Sequence, residues 1–137
     1  MTDSPRCSLA PAATLGDAGL TSLMNAAYAG YEVPFHLDEA AFRAMAGAFD
    51  IDLAASRVAL ADGEPVGLVL LGARGRGGWI AGMGVVPDAR RGGIGRALME
   101  GVLAEARRLG IERVGLEVLE RNAPAFTLYR ELGFVAW

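Results

Sequence analysis

Apolar residues recur at helical spacing in two segments near the start of the chain. The first segment predicts a helix over residues 15–31, for which Thr14 or Asp17 is a suitable cap. The second predicts a helix that begins after the N-cap Asp38 and ends before Asp50. The apolar positions are Leu20, Leu23, Met24, Ala27 and Tyr28 in the first helix, and Ala41, Phe42, Met45 and Phe49 in the second. Residues 6–9 predict a short strand at a sheet edge.

From position 57 onward the pattern changes to short apolar runs, which are typical of strands. Residues 58–61 and 66–71 predict an antiparallel pair, because the segment that begins with Asp62 and Gly63 has the chemistry of a hairpin turn. Residues 72–78, rich in glycine and arginine, are predicted to form a loop before a third strand over residues 79–86. Gly82 and Gly84 inside that strand indicate a bulge or a ligand close to the backbone.

The second half of the chain predicts alternating helix and strand. A long amphipathic helix continues to residue 109 and Gly110 stops it. Its inward face is predicted to consist of Ile94, Ala97, Leu98, Gly101, Val102 and Leu109. A strand over residues 114–119 follows, parallel to its predecessor because the helix makes a right-handed crossover. Asn122 caps a last helix that ends at Gly133, and residues 134–137 begin a further strand. The predicted class is α+β, with a central mixed sheet, antiparallel N-terminal strands and about four helices.

Residues 83–95, with the sequence Met-Gly-Val-Val-Pro-Asp-Ala-Arg-Arg-Gly-Gly-Ile-Gly, join the third strand to the long helix. The first amides of a helix have no intrahelical partner and lie at the positive end of its dipole, so they can bind phosphate. Glycine lets a ligand come close and arginine supplies charge. The residues concerned are Gly92, Gly93 and Gly95 with Arg90, Arg91 and Arg96. We predict a pyrophosphate-binding loop; the alternative is a tight turn without a ligand.

Two common phosphate-binding loops are excluded by the spacing. A Walker A loop ends in Gly-Lys-Ser or Gly-Lys-Thr, whereas Gly95 is followed by Arg96 and Ala97. The dinucleotide-binding fingerprint needs a third glycine at position 98, which is Leu98. The pattern that remains is Arg-x-x-Gly-x-Gly, directly after a strand and a proline.

This pattern, formed by Arg90, Gly93 and Gly95, resembles the coenzyme A loop of the GNAT superfamily of N-acetyltransferases. A second stretch, residues 116–134, is similar to the family's other signature: a strand, a loop asparagine, and a helix that carries Leu-Tyr before a terminal Gly-Phe. The two signatures stand in the family's order. The resemblance implies a single acetyltransferase domain over residues 1–137, in which a parallel pair of strands separates around acetyl-CoA.

The resemblance also implies the roles of particular residues. The backbone amides expected to bind the pyrophosphate are those of Arg91, Gly92, Gly93, Ile94, Gly95 and Arg96, with charge from Arg90. Val85 and Val86 would bond the pantetheine arm through their backbone. Asn122 would contact the same arm, although helix capping alone explains it. Tyr129 matches the tyrosine that protonates the departing thiolate; the other interpretation is packing on an amphipathic helix.

The implied reaction is transfer of an acetyl group from acetyl-CoA to a primary amine, on a small molecule or a peptide. Direct attack in a ternary complex is preferred, because no arrangement of His, Cys and Asp indicates an acyl-enzyme. In the family the segment that corresponds to residues 28–36 borders the acceptor, although packing is the favoured interpretation of Tyr28 and Phe35. No general base is identified, since Glu32 and Glu117 are explained equally well as outward or capping carboxylates. The alternative function is a non-catalytic module that binds or senses acyl-CoA.

Composition and charge restrict the number of domains, the classes of partner and the cellular location that are expected. A chain of 137 residues is long enough for one domain with its own core. Its net charge of −3 argues against a nucleic-acid surface. All basic residues are arginine, and five lie on either side of the predicted third strand: Arg74, Arg76, Arg90, Arg91 and Arg96. The single Cys7 and single His36 suggest neither a disulfide nor a metal site, and no apolar run could span a bilayer. A cytoplasmic protein without a metal or membrane partner is expected.

The end of the chain departs from the family pattern, in which the last strand is longer and another strand completes a hairpin. Three explanations stay open: a truncated chain, one half of a tandem pair, or a sheet edge completed by a partner subunit. Because an open edge invites pairing, a homodimer through the C-terminal sheet edge is one expectation.

Overall fold

The structure is a computed structural model that describes residues 7–29, 36–90, 92–116 and 123–135. Five strands and four α-helices lie in these ranges, with short 3-10 turns at Ala12–Leu15 and Pro87–Ala89. Their bounds are β1 Cys7–Pro11, α1 Gly16–Ala27, α2 Glu39–Ala48, β2 Arg57–Ala61, β3 Glu64–Arg74, β4 Gly77–Val85, α3 Ile94–Arg108, β5 Arg113–Gly115 and α4 Ala123–Glu131. The predicted α+β class is confirmed.

The strands form one mixed sheet in the order β1-β2-β3-β4-β5. The first four strands pair antiparallel, and β5 pairs parallel with β4. Asp62 and Gly63 form the predicted hairpin turn with φ angles of 50° and 84°, a left-handed pair that suits the twist of β2 and β3. The parallel pairing ends at Trp79 and Gly115, while β4 continues to Val85. Among the described residues, the second half of β4 therefore has a strand partner on one side only.

Helices cover both faces of the sheet. Successive side chains of a strand point to opposite faces, so Leu68 and Leu70 of β3 pack with α1 and α2, whereas Val69 and Leu71 pack with α3. The helix residues buried against the first face are Leu20, Leu23, Met24, Ala27 and Phe42, and those against the second are Leu98, Met99, Val102 and Ala106. Full burial of one such large apolar side chain contributes about 1.5–3 kcal/mol.

The predicted loop at residues 72–78 is wrong, because β3 and β4 continue through it and leave a tight turn. Glycine is required inside this part of the ladder. A Cβ atom on Gly72 would lie 2.1 Å from Trp79 Nε1 and 2.5 Å from the Phe49 carbonyl oxygen. Here a glycine-rich composition reflects close packing of an indole ring on a strand.

The C-terminus of α3 is a Schellman motif. Ile111 N–H donates to the Ala106 carbonyl and Gly110 N–H to the Arg107 carbonyl, each at 3.0 Å. Gly110, with φ 79°, stops the helix as predicted. The inward placement of Leu109 is wrong: it is 41% exposed, and Ile111, only 9% exposed, enters the core after the turn.

The boundaries of the remaining helices and strands agree only in part with those predicted from the sequence. Asp38 caps α2 as predicted, and its Oδ1 accepts a hydrogen bond of 2.7 Å from Ala41 N–H. α1 ends at Ala27, before the predicted limit at residue 31. The predicted strand positions 117–119 lie outside the described residues, as do positions 136–137. In the ranges that the structure covers, no helix is long and apolar enough to span a membrane.

Candidate functional site

The glycine-rich loop connects the end of β4 to α3. Gly93 is the N-cap of α3 with φ 78° and ψ 8°, and no side-chain hydrogen bond caps the helix. The first helical bond runs from Ala97 N–H to the Gly93 carbonyl at 3.0 Å. The amides of Ile94, Gly95 and Arg96 therefore precede the hydrogen-bonded ladder, at the positive end of the helix dipole. This arrangement suits an anion.

The loop glycines have different structural roles. A Cβ atom on Gly93 would meet no atom within 4 Å, but its positive φ is rare for other residues. A Cβ atom on Gly95 would lie 3.7 Å from Leu128 Cδ2 and 3.8 Å from Met83 Cε. Gly93 is thus required by its conformation, while Gly95 lies where the first turn of α3 meets α4 and β4.

Arg90 binds two backbone carbonyls. Its Nε donates to the Val85 carbonyl and its Nη2 to the Ala27 carbonyl, both at 3.0 Å. Ala27 is the last residue of α1, where carbonyl groups carry the negative end of the helix dipole. Arg90 therefore joins α1 to the end of β4, a role that its place in the loop motif did not indicate.

The arginines around β4 do not form a single cluster. Arg74 pairs with Asp50, and Arg76 pairs with Glu112 at 3.2 Å, near the start of β4. The glycine-rich loop lies at the other end of this strand, about 25 Å away at roughly 3.3 Å per residue. The first two arginines therefore cannot add charge to the loop.

The remaining predicted site residues are dispersed. Arg96 pairs with Glu131, so it joins the first turn of α3 to the end of α4. Ile94 is half-buried against the core between α3 and the sheet. Residues 28–36 are described only at their two ends. Four other candidates lie outside the described part of the chain: Arg91, Asn122, Glu32 and Glu117.

The two edges of β4 present different backbone groups. Val86 N–H donates to the Val66 carbonyl at 2.8 Å, so this amide is turned toward β3. Backbone groups alternate along a strand, so those of Val85 and Met83 face away from β3. The Tyr28 hydroxyl accepts from Met83 N–H and donates to the Met83 carbonyl, both at 3.2 Å. The edge of β4 that faces away from β3 is called the outer edge. Of the two predicted pantetheine contacts, only Val85 presents its N–H to this edge.

Because Gly82 and Gly84 have no side chains, the C-terminus of α1 can pack closely on β4. The register of β4 against β3 shifts beside Gly82, which confirms a bulge there. A Cβ atom on Gly84 would lie 3.0 Å from Ala27 Cβ, and one on Gly82 would lie 3.4 Å from the Tyr28 hydroxyl. The group that approaches this backbone is therefore the C-terminal turn of α1.

Tyr129 lies on α4 and is 9% exposed. The helix ends in a second Schellman motif, in which Phe134 N–H donates to the Tyr129 carbonyl and Gly133 N–H to the Arg130 carbonyl, each at 3.0 Å. Gly133 stops the helix as predicted, with φ 97°. The predicted start of a strand at Phe134 is wrong, because neither Phe134 nor Val135 belongs to one.

No group of three His, Cys, Asp or Glu side chains that could hold a metal ion occurs within the described ranges. The pKa of Glu105, in the last turn of α3, is lowered chiefly by a hydrogen bond from Arg108, which outweighs the opposing effect of burial. This carboxylate also pairs with Arg57, at 3.3 Å. The ion pairs of Glu105 therefore lie where α3 contacts β2, away from the glycine-rich loop.

Comparison with known proteins identifies the family. The sequence profile of the Acetyltransferase (GNAT) family matches residues 20–134, and the chain belongs to this family, as the two sequence signatures implied. A curated relative, the mycothiol acetyltransferase of Thermobifida fusca (strain YX), is 42% identical over 78 residues. The match covers 57% of this chain but only 21% of that relative's length.

Solved structures share the fold. The ribosomal-protein-S18-alanine N-acetyltransferase of Escherichia coli superposes with a TM-score of 0.80 at 23% identity, over 96% of this chain and 79% of its own. The NatC complex, solved with a Gag peptide and CoA, has a TM-score of 0.76 at 18% identity, over 96% of this chain and 86% of its own. At these identities the likeness concerns the fold.

Proposed function

We propose that this chain transfers the acetyl group of acetyl-CoA to a primary amine. Family membership supports acetyl transfer, and the NatC neighbour was solved with CoA and a peptide. The observation that carries the proposal is the N-terminus of α3 at Gly93, which has no side-chain cap and follows β4 after one short 3-10 turn. At this end β4 has an edge without a strand partner among the described residues. A helix end suits a phosphate, and an outer strand edge suits the extended arm attached to it.

The donor is proposed to bind along this path. The amides of Ile94, Gly95 and Arg96 donate to the pyrophosphate oxygens, where the helix dipole and the absence of a capping side chain favour an anion. Val85 N–H, which faces away from β3, donates to a carbonyl of the pantetheine arm. Such backbone pairing uses the same hydrogen bonds as an added strand.

The chemistry forms a bond between the amine nitrogen and the thioester carbonyl carbon, and it breaks the bond from that carbon to sulfur. The amine loses a proton and the departing thiolate gains one. Tyr129 is the proposed acid. A phenol has a pKa of about 10 and a thiol of about 8.5, so donation is mildly uphill but helps while negative charge develops on sulfur.

The amine is proposed to enter beside the C-terminus of α1, where Tyr28 meets β4. Asn25 of α1 holds Leu37 through two hydrogen bonds of 2.8 Å, which fixes the far end of the connection between α1 and α2. Attack in a ternary complex fits this arrangement, because holding both reactants in place lowers the barrier by several kcal/mol. The acceptor class is a small-molecule or peptide amine.

The proposal is tested by titrating the purified chain with acetyl-CoA in a calorimeter and then offering a panel of amines while released CoA thiol is measured. The panel contains a polyamine, an aminoglycoside, a free peptide N-terminus and a lysine side chain. We expect saturable binding and thiol release with at least one amine. Binding without release would favour the non-catalytic acyl-CoA module, and absence of binding would contradict the proposal.

A further inference from the structure

Tyr28 places one hydroxyl against the outer edge of β4. This residue follows the last turn of α1, and its Oη contacts both Met83 N–H and the Met83 carbonyl at 3.2 Å. A tyrosine hydroxyl has one proton and can accept at the same time. It can therefore keep the bond from Met83 N–H while it turns its proton from one acceptor to another.

The position of Tyr28 is held by the surrounding packing. Gly82 lacks the Cβ atom that would lie 3.4 Å from the hydroxyl, and Gly84 lacks the one that would lie 3.0 Å from Ala27 Cβ. Arg90 donates to the Ala27 carbonyl at 3.0 Å. The residue before Tyr28 is thus fixed from two directions, so the hydroxyl is aimed at Met83 by the packing of α1 on β4.

Met83 lies at the point where a bound thioester is expected. Starting from the loop, an extended arm that pairs with Val85 reaches Met83 next, because the two residues share the outer edge of β4. Same-edge residues of a strand are about 6.6 Å apart. The hydroxyl of Tyr28 therefore lies beside the next outward-facing backbone groups after the expected pantetheine contact at Val85.

We propose that Tyr28 is a catalytic residue that binds the carbonyl oxygen of the acetyl thioester. Held by Met83 N–H, its hydroxyl turns its proton from the Met83 carbonyl to the thioester oxygen. This hydrogen bond polarises the carbonyl carbon and stabilises the negative charge that develops on oxygen when the amine attacks. The proton is shared and stays on Tyr28, and the carbonyl re-forms as the thiolate leaves. The proposal rests on the proposed function, because it requires acetyl-CoA along β4.

A purely structural Tyr28 predicts a different outcome. In that case the hydroxyl only satisfies the Met83 backbone and is displaced when the donor binds. Met83 N–H would then bind the thioester directly, and a variant without the hydroxyl would bind acetyl-CoA as tightly as the parent or more tightly.

The test compares acetyl-CoA with CoA, because only the former carries the carbonyl. Tyr28→Phe keeps the ring between α1 and β4 and removes the hydroxyl. We expect its Kd for acetyl-CoA to rise about three- to tenfold, the effect of one lost hydrogen bond, while its Kd for CoA is unchanged. Equal changes for the two ligands, or acetyl-CoA binding that is unchanged or tighter, would overturn the role of Tyr28.

A spectroscopic measurement adds an outcome that is read on the unaltered chain and so does not depend on how well the variant folds. In difference infrared spectra, acetyl-CoA labelled with ¹³C at the carbonyl should show a lower stretching frequency when bound than in an aprotic solvent, and Tyr28→Phe should reverse part of this shift. A bound frequency equal to the aprotic value would overturn the proposal. A parent chain that binds neither ligand would instead refute the proposed function, and the role of Tyr28 with it.

Discussion

The ring of Phe134 meets the ring of Tyr129 edge to face, with centroids 6.0 Å apart and an interplanar angle of 66°. Phe134 is also the residue whose N–H closes the Schellman turn on the Tyr129 carbonyl, at 3.0 Å. The turn that ends α4 therefore also holds the ring of the proposed acid.

Tyr129→Phe is expected to slow acetyl transfer and to leave donor binding unchanged. The variant keeps the buried ring and its contact with Phe134, and it loses the proton that the thiolate would take. Single-turnover quench measurements with bound acetyl-CoA should show a rate lower by about tenfold or more. An unchanged rate, with the amine that the parent chain uses, would remove Tyr129 from the mechanism.

Gly93→Ala is expected to weaken coenzyme binding through the backbone. A left-handed conformation costs a non-glycine residue about 1–2 kcal/mol, and relief of that strain would turn the first amides of α3 away from the pyrophosphate. Gly63→Ala is the matched control, because Gly63 has φ 84° against 78° for Gly93 and also has open space around its Cβ position. Urea unfolding should show similar destabilisation of both variants. In calorimetry, only Gly93→Ala should lose affinity for CoA; equal losses would assign the effect to general strain.

Asn25→Ala is expected to impair the acceptor side more than the donor side. Its two hydrogen bonds satisfy both backbone groups of Leu37, and leaving such partners unpaired costs about 1–3 kcal/mol. The KM for the amine should rise while the Kd for acetyl-CoA stays close to that of the parent chain. Asn25→Asp keeps the acceptor for Leu37 N–H but places an oxygen against the Leu37 carbonyl. It should also raise the KM for the amine. Parallel losses for donor and acceptor would indicate general unfolding.

Glu105→Gln is expected to destabilise the fold in a pH-dependent way. The pKa of Glu105 is lowered from its ordinary 4.5, first by the hydrogen bond from Arg108 and further by the charges of Arg108 and Arg57. A carboxylate whose pKa is lower in the folded state stabilises the fold at pH values above its unfolded-state pKa. This stabilisation is lost as the pH falls through the folded-state pKa. Urea unfolding should separate the two proteins at pH 7, with a smaller difference at acidic pH below 4.5. Glu112→Gln, which removes an exposed pair with Arg76, should have little effect at either pH.

Several features that depend on near neighbours along the chain were predicted correctly. Asp38 caps α2 through an N–H three residues on, and the turn at Asp62 needs only two adjacent left-handed residues. Gly110 and Gly133 end their helices, because glycine adopts the left-handed conformation of a helix end most readily. The position of the loop between β4 and α3 was also predicted correctly, and the loop and helix signatures sufficed to identify the family.

Features that depend on distant contacts could not be predicted from local pattern. Arg90 was expected to face a phosphate, yet one of its acceptors is the carbonyl of Ala27, 63 positions away. The hydrogen bonds of Tyr28 with Met83 span 55 positions. A long polar side chain binds whichever group the fold brings within reach, and that group is not encoded in its own surroundings.

The sequence by itself determined the α+β class, the family and the loop proposed to bind the donor, because periodicity, turn chemistry and helix-end chemistry are local properties. The tertiary structure decided what the outer edge of β4 presents. Packing of α1 on Gly82 and Gly84 brings Tyr28 to the Met83 backbone and Arg90 to the end of α1. Close approach of two backbones decides these contacts, and it exists only once the helix lies on the sheet.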